Sequence, residues 1–232
     1  MSPTPLLTGR ECKALAVARD AGLATVACTL DLGRTSSTVD VAAHEWSFEG
    51  RAFPYLAACR PRTIYHWSGT EFEPVALFTS SLFKLVPTEW GAPTFEIDGI
   101  KMLPTAKISP YADAERKVAL IAPRGKSVLD TCGGLGYFAA WCLRGGAVRV
   151  LSFEKQAAVL WLRSLNPWSP DSPWEPFPGA ALELAQGDIA EQILTLPDRS
   201  VDAILHDPPR FALAGDLYSQ VFYDQLARVL RP

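Results

Sequence analysis

No apolar run in the chain approaches the ~20 residues needed to cross a bilayer, and the opening segment MSPTPLLTGR has no charged stretch followed by an apolar one. Neither a membrane span nor a secretory signal is expected. Histidine is scarce: His44, His66 and His206 lie far apart, without the spacing of a metal-ligating motif. No metal site is expected. No C-x-x-C pair occurs among the five cysteines, Cys12, Cys28, Cys59, Cys132 and Cys142. An odd number without paired spacing fits reduced thiols rather than disulfides or zinc, and therefore a cytoplasmic protein. Charge of one sign is also lacking. A net charge of −3 provides no global field for a phosphate backbone, although it is compatible with a local basic patch. No internal repeat is present.

What the chain does have is apolar substance. Hydrophobic residues make up 48% and charged ones 20% of 232 residues, enough for a sizeable core in one main domain plus a smaller one. From Ala24 to about Lys101, short β-favouring runs (TVACTLDL, STVDVAA, RTIYHW, PVALF, LFKLV, TFEIDGI) alternate with Gly, Pro and Ser. They predict a small, mostly β N-terminal domain over residues 1–105, preceded by a short helix over Glu11–Ala21. A second domain occupies residues 106–232. It opens with a helix whose start is marked by Ser109-Pro110 and which runs through Leu120.

From Ser127 onward, strands alternate with helices, the signature of a parallel sheet covered on both faces. The candidate strands are Ser127–Asp130, Val148–Phe153, Leu182–Ala185 and Val201–His206. Helices are predicted over Phe138–Arg144, Gln156–Ser164 and Ile189–Leu194. Between them, Asn166–Gly179 carries five prolines and two tryptophans, Trp168 and Trp174, and must be a semi-rigid loop, with the tryptophans placed to cover a site as a lid. A last amphipathic helix has Ser219 as N-cap and Val221, Phe222, Leu226, Val229 and Leu230 on one side. The Arg231-Pro232 ending reads as the lead into a further strand, so the fold is expected to be a Rossmann-like, doubly wound, mostly parallel α/β sheet with its C-terminal strands missing.

Chemistry concentrates at the carboxyl ends of these strands. Val128-Leu-Asp-Thr-Cys-Gly-Gly-Leu-Gly-Tyr137 ends a strand on Asp130 and enters a helix through Gly133, Gly134 and Gly136, which brings backbone N–H groups and a helix N-terminus to the sheet edge where open α/β sheets bind ligands. The spacing is not the G-x-G-x-x-G of dinucleotide enzymes. Glu154 ends the next strand about 20 residues on, where a carboxylate accepts from both hydroxyls of a ribose. Gly187-Asp188 follows the third strand. The fourth ends in His206-Asp207-Pro208-Pro209-Arg210-Phe211, and the paired prolines fix the backbone so that Asp207 projects over the sheet edge. Cys132 stands beside a helix N-terminus, a place where a thiol pKa can fall, but is read as a small buried residue rather than a nucleophile.

In order and spacing, these four signals resemble the motifs of class I S-adenosylmethionine-dependent methyltransferases, over about Ser109–Pro232. The resemblance implies S-adenosyl-L-methionine as cofactor, held by Asp130, Cys132 (where the family usually has its first glycine), Gly133, Gly134, Gly136, Glu154, Lys155, Asp188 and Ile189. It implies a catalytic Asp207-Pro208-Pro209 that orients or deprotonates a nitrogen or similar nucleophile. Asp-Pro-Pro-x-Phe is similar to the fourth motif of methyltransferases acting on RNA bases and other planar nitrogens, so the unidentified acceptor is a small molecule or RNA. The run Asp216–Pro232 looks like the corresponding segment of spermidine synthases, which transfer an aminopropyl group from decarboxylated S-adenosylmethionine, although Arg210 and Phe211 replace their second acid. Together with FEIDGIKMLP (Phe95–Pro104) and Asn166-Pro167-Trp168-Ser169, the pattern resembles an uncharacterised group of predicted methyltransferases related to spermidine synthase. Methyl transfer, aminopropyl transfer and a non-catalytic cofactor-binding scaffold all remain open at this point.

Overall fold

The structure is a computed structural model that describes residues 4–170 and 181–232. The chain separates into two units, Met1–Ser109 and Pro110–Pro232. In the first, short runs of β-branched and aromatic residues become short antiparallel strands, as such composition favours. They are β1 (Leu6–Leu7), β2 (Thr25–Cys28), β3 (Ser37–Val41), β4 (Glu45–Phe48), β5 (Arg51–Pro54), β6 (Tyr65–Trp67), β7 (Phe72–Pro74), β8 (Ala76–Phe78), β9 (Leu82–Val86), β10 (Thr94–Ile97) and β11 (Ile100–Lys101). Among the described residues they form three sheets, ordered β1-β6-β7, β2-β3-β4-β5 and β11-β10-β9-β8. The sequence reading misses β1, β4, β5 and β7. β4 and β5 pair as a hairpin around Glu49 and Gly50, both at positive φ (48° and 74°), so the turn lacks the Asn-Gly or Asp-Gly spelling that announces this geometry.

Helix α1 (Gly9–Asp20) begins two residues ahead of the expected start, because a capping box sets its first turn. The Thr8 hydroxyl accepts from Arg10 N (3.2 Å), and the Glu11 carboxylate accepts from Thr8 N (3.1 Å). Leu15 of this helix packs into a core with Val39, Trp46, Phe53 and Phe72, where Trp46 and Phe53 stack at 4.8 Å. Cys12 and Cys59 form a disulfide, which corrects the expectation of reduced thiols and removes the premise of the cytoplasmic assignment. Their separation of 47 residues leaves no paired motif in the sequence; α1 and the segment between β5 and β6 bring them together. Cys28, Cys132 and Cys142 are free thiols.

The second unit is a mixed α/β structure around a parallel sheet. Its order is α2 (Pro110–Ala119), β12 (Ser127–Asp130), α3 (Tyr137–Arg144), β13 (Arg149–Glu154), α4 (Ala157–Ser164), β14 (Ala181–Gln186), α5 (Ile189–Gln192), β15 (Ala203–Leu205), α6 (Phe211–Ala214) and α7 (Gln220–Val229). Single 3-10 turns follow α5 (Ile193–Thr195) and α6 (Gly215–Tyr218). All pairings are parallel, in the order β14-β13-β12-β15.

The pleat of each strand divides its side chains between two apolar layers. Val128, Val150, Ala203 and Leu205 pack with Ala139, Cys142 and Leu143 of α3, while Leu129, Leu151 and Phe153 pack with Ile189, Ile193, Phe222 and Leu226 on the opposite face. The last strand is shorter than the predicted Val201–His206, because Val201 N turns away to donate to Val229 O. Ser219 caps α7 as expected, its hydroxyl accepting from Phe222 N at 3.2 Å. Only part of the predicted apolar face is buried, however. Phe222, Leu226 and Val229 face the core, and Val221, one step of 100° off that stripe, is 71% exposed. Trp174 and the rest of residues 171–180 lie outside the described residues.

Candidate functional site

The strand order reverses at β12, with β13 and β14 on one side and β15 on the other. Loops leaving the carboxyl ends of β12 and β15 diverge at such a point and open a crevice there. The turn after β12 lies at this point. Gly133 N donates to Phe153 O (2.7 Å), Gly134 N to Glu154 Oε2 (3.0 Å) and Gly136 N to Gly133 O (2.7 Å). Sequence reasoning leaves these amides for a ligand; instead they bind the turn to the neighbouring strand and to itself.

Two of the glycines answer to close packing. Gly136 caps α3 at φ 78°, and a Cβ there would stand 2.6 Å from the guanidinium carbon of Arg163. A Cβ on Gly133 would run into the Ser152 hydroxyl. Arg163, on α4 and wholly buried, therefore underlies the turn.

Asp130 is only 1% exposed. Its Oδ2 accepts from the Ser152 hydroxyl (2.9 Å), and its Oδ1 is buried without a hydrogen-bond partner among the described residues. Burial pushes its carboxyl up to about 6, opposed by the Ser152 hydroxyl and by Arg163. Asp130 thus lies beneath the turn. Glu154, half-buried at the end of β13, accepts from Gly134 N through Oε2 and from Gln156 N through Oε1 (2.8 Å), which joins the turn to the start of α4. Burial raises its carboxyl despite these two amides.

Asp188 caps α5, Oδ1 accepting from Ala190 N (3.0 Å), while Oδ2 takes the Lys155 ammonium at 2.6 Å. Burial pushes this carboxyl up, and the Lys155 hydrogen bond, the Ala190 amide and the Lys155 charge together more than offset it, so Asp188 sits below its ordinary range. Lys155 and Asp188, picked separately from sequence, are therefore one ion pair. Ile189 is buried in the core beside them.

Asp207 is half exposed after β15, and its Oδ2 accepts from Lys117 Nζ at 2.6 Å. Lys117 also meets Asp113 at 3.0 Å, one helical turn back on α2, and lies 5.6 Å from the centre of the Phe138 ring. Burial pulls its ammonium down, yet the hydrogen bonds it donates to both acids, with the charges of those acids, outweigh this and raise it. Lys117 is a candidate site residue that sequence reasoning missed: it stands 90 positions from Asp207, and its pairing with Asp113 reads as an ordinary i,i+4 helix contact.

His206 is structural, as expected. Its Nε2 faces Leu217 O (3.1 Å), which only a ring N–H can satisfy, Nδ1 then accepts from the Thr131 hydroxyl (2.8 Å), and burial lowers its pKa against the pull of Leu217 O and Asp207. The Pro208-Pro209 segment is held by Tyr218, whose hydroxyl donates to Pro209 O at 2.8 Å. Burial pushes the Cys132 thiol up to about 12, and Asp130, Glu154 and Asp207 add to it. The effect of the helix N-terminus is overruled, and the same couplings set Cys132 electrostatically among the acids of three adjacent strands.

Behind the turn, the Asn166-Pro-Trp-Ser169 segment forms a buried clamp. Asn166 Nδ2 donates to the Ser169 hydroxyl (2.9 Å) and to the Tyr137 hydroxyl (3.2 Å), and Ser169 Oγ donates to Leu135 O (2.8 Å). Trp168 packs edge-on against Tyr111 at 5.1 Å.

No protein-family model matches the chain. An uncharacterized protein of Methanocaldococcus jannaschii is 42% identical over 170 residues, which make up 73% of this chain and 56% of that protein. The chain thus spans little more than half the length of the curated relative it matches. Among solved structures, it is similar to a spermidine synthase in complex with the transition state analogue AdoDATO, with a TM-score of 0.54 and 17% identity over 67% of this chain and 54% of that one. A spermidine synthase from Thermotoga maritima gives a TM-score of 0.50 and 18% identity over 67% and 53%. At these identities the likeness is one of fold. Among the described residues, no helix is long and apolar enough to cross a membrane.

Proposed function

We propose that the second unit is a Rossmann-like, class I methyltransferase domain that binds S-adenosyl-L-methionine and transfers its methyl group to a nitrogen or similar nucleophile. The observation that carries this reading is the gathering of Glu154, Asp188 and Asp207 at the carboxyl edge of consecutive strands, beside a turn packed on a buried arginine.

The donor set suits the ligand. Each Glu154 oxygen holds one amide and keeps a lone pair for one of two adjacent ribose hydroxyls. Asp188 and the backbone at Ile189 are disposed to read the edge of an adenine. Beneath the turn, the buried Asp130 carboxylate supplies a negative potential that a cationic sulfur would relieve.

S-adenosylmethionine supplies an electrophilic methyl group on that sulfur. The residues of this chain supply alignment and a proton acceptor: Asp207, held by Lys117 and steadied by Pro208 and Pro209, takes the proton that an attacking nitrogen loses as its new bond to carbon forms. The same contact weighs against the second reading, aminopropyl transfer to a polyamine, which the fold of the spermidine synthases favours. A polycation arriving at Asp207 meets an acid already paired with an ammonium, with Arg210 rather than an acid three residues further on.

Calorimetry with S-adenosylmethionine and with its decarboxylated form separates the readings. Tighter binding of the carboxylated form supports methyl transfer, tighter binding of the other supports aminopropyl transfer, and binding of neither removes the cofactor from every reading and leaves an inactive scaffold. In labelled-methyl assays against RNA, protein and metabolite pools, Asp207→Asn is expected to lower turnover by ~10²-fold while cofactor affinity changes little. Full retained turnover would reduce the Asp-Pro-Pro segment to a strand terminator.

A further inference from the structure

Among the described residues, Arg163 is the one basic side chain that is buried, and it is wholly so. It sits near the end of α4, and in a helix a long side chain leans back toward the N-terminus. That direction carries the guanidinium beneath the glycine turn. A Cβ on Gly136 would stand 2.6 Å from its central carbon, and a Cβ on Gly133 would stand 3.3 Å from one of its terminal nitrogens while running into the Ser152 hydroxyl. The same hydroxyl donates to Asp130. Guanidinium, hydroxyl and carboxylate are thus gathered under Gly133.

The start of α4 is tied to the turn as well. Gln156, its N-cap, donates its N–H to Glu154, whose other oxygen accepts from Gly134 N. Gln156 and Arg163 are seven positions apart, so they lie on one face of the helix, two turns from each other. A stretch of helix about 10 Å long therefore grips Gly133–Gly136 at both ends. Packing alone would ask only for bulk beneath the turn, which an apolar side chain supplies without taking a charge out of water. The guanidinium adds charge. Burial raises the Asp130 and Glu154 carboxyls, and Arg163 opposes it in both, behind the Ser152 hydroxyl at Asp130 and behind the Gln156 and Gly134 amides at Glu154. The Cys132 and Cys142 thiols, which also feel the Asp130 charge, are pushed up to about 12 and stay neutral.

We propose that Arg163 is the positioning residue of the cofactor site: from beneath, its guanidinium seats Gly133 and Gly136 and holds the Asp130 and Glu154 carboxylates at the strand ends for S-adenosylmethionine. The inference rests on the cofactor reading above. Wholly buried, Arg163 acts through those four residues rather than by touching the ligand.

Titration calorimetry of the full chain with S-adenosylmethionine, across about pH 5 to 8, tests it in wild type, Arg163→Met and Arg163→Lys. Wild-type affinity is expected to fall as the pH drops below about 6, where the Asp130 carboxyl takes up its proton. Without the guanidinium both carboxyls rise further, so in Arg163→Met the fall is expected about one pH unit higher. Arg163→Lys keeps the charge and is expected to fall where wild type does. Should Arg163→Met not fold, Asp130→Asn/Arg163→Met removes the opposed charges together, and the same upward shift is expected against Asp130→Asn, with Glu154 as the remaining acid. A fall that stays at its wild-type place overturns the proposal and leaves Arg163 a filler of space. Carboxyl-carbon NMR titration of the ligand-free protein keeps that failure apart from failure of the cofactor reading. If wild type binds no S-adenosylmethionine while Arg163→Met still raises the Asp130 and Glu154 titrations, the cofactor reading falls and the hold of Arg163 on the acids is upheld. Titrations that Arg163→Met leaves unchanged overturn that hold whether or not the cofactor binds.

Discussion

At the scale of single residues, the candidate site is made of side chains with two duties. Glu154 accepts the amides of Gly134 and Gln156 and also presents its remaining lone pairs at the sheet edge. Glu154→Ala is therefore expected to weaken S-adenosylmethionine binding by about 2 kcal/mol, the usual size of charged hydrogen bonds lost, and titration calorimetry checks this. Unchanged affinity would remove Glu154 from the ligand's contacts and leave it the structural duty alone. The identities of the acids were legible because each closes a strand or follows one directly, and strand ends are marked by apolar runs. Their partners were not legible. Lys117 meets Asp207 across 90 positions, Arg163 reaches the glycine turn from the far end of α4, and Cys12 finds Cys59 only once α1 has docked. Side-chain pairing over such distances is a product of tertiary packing, and no local pattern encodes it.

At the scale of elements, β12 runs over Ser127–Asp130 as read from sequence, because a continuous apolar run ending in an acid suits a strand buried on both faces. Short strands in the first unit and the brief helices α5 and α6 carry too few residues to show a period, so their limits came only with the fold. The Asn166-Pro-Trp-Ser169 segment, read as the start of a proline loop, proves to be a brace: its two polar side chains are buried and tie the Tyr137 hydroxyl of α3 to the carbonyl of Leu135 in the turn. Asn166→Ala removes the buried amide that donates to the Tyr137 and Ser169 hydroxyls, which costs about 1–3 kcal/mol. Hydrogen exchange is expected to rise in the amides of Gly133, Gly134 and Gly136 before those of β12. Uniform exchange across the second unit would mean that the brace is not local.

At the scale of the whole molecule, the two units differ in how they are secured. The first is stapled by Cys12–Cys59, and closing a loop with a separation of 47 residues contributes about 4 kcal/mol by chain entropy. Reduction, or Cys59→Ala, is expected to speed hydrogen exchange in residues 4–109 and to leave residues 110–232 unchanged. Alkylation in denaturant without reductant is expected to label three thiols, Cys28, Cys132 and Cys142; labelling of five would refute the bond.

The turn after β12 bears on how such chains should be compared across lineages. Gly133 and Gly136 are demanded by Ser152 and Arg163, and Glu154 by the amides it holds, so selection for folding alone suffices to keep all three. A descendant that had abandoned its ligand would still spell the glycine turn and its acid, whereas Asp207, half exposed and bound to a lysine, would be released to drift. In an alignment of relatives, the record of lost or altered chemistry would therefore be written at Asp207 and Lys117 long before it reached the glycines.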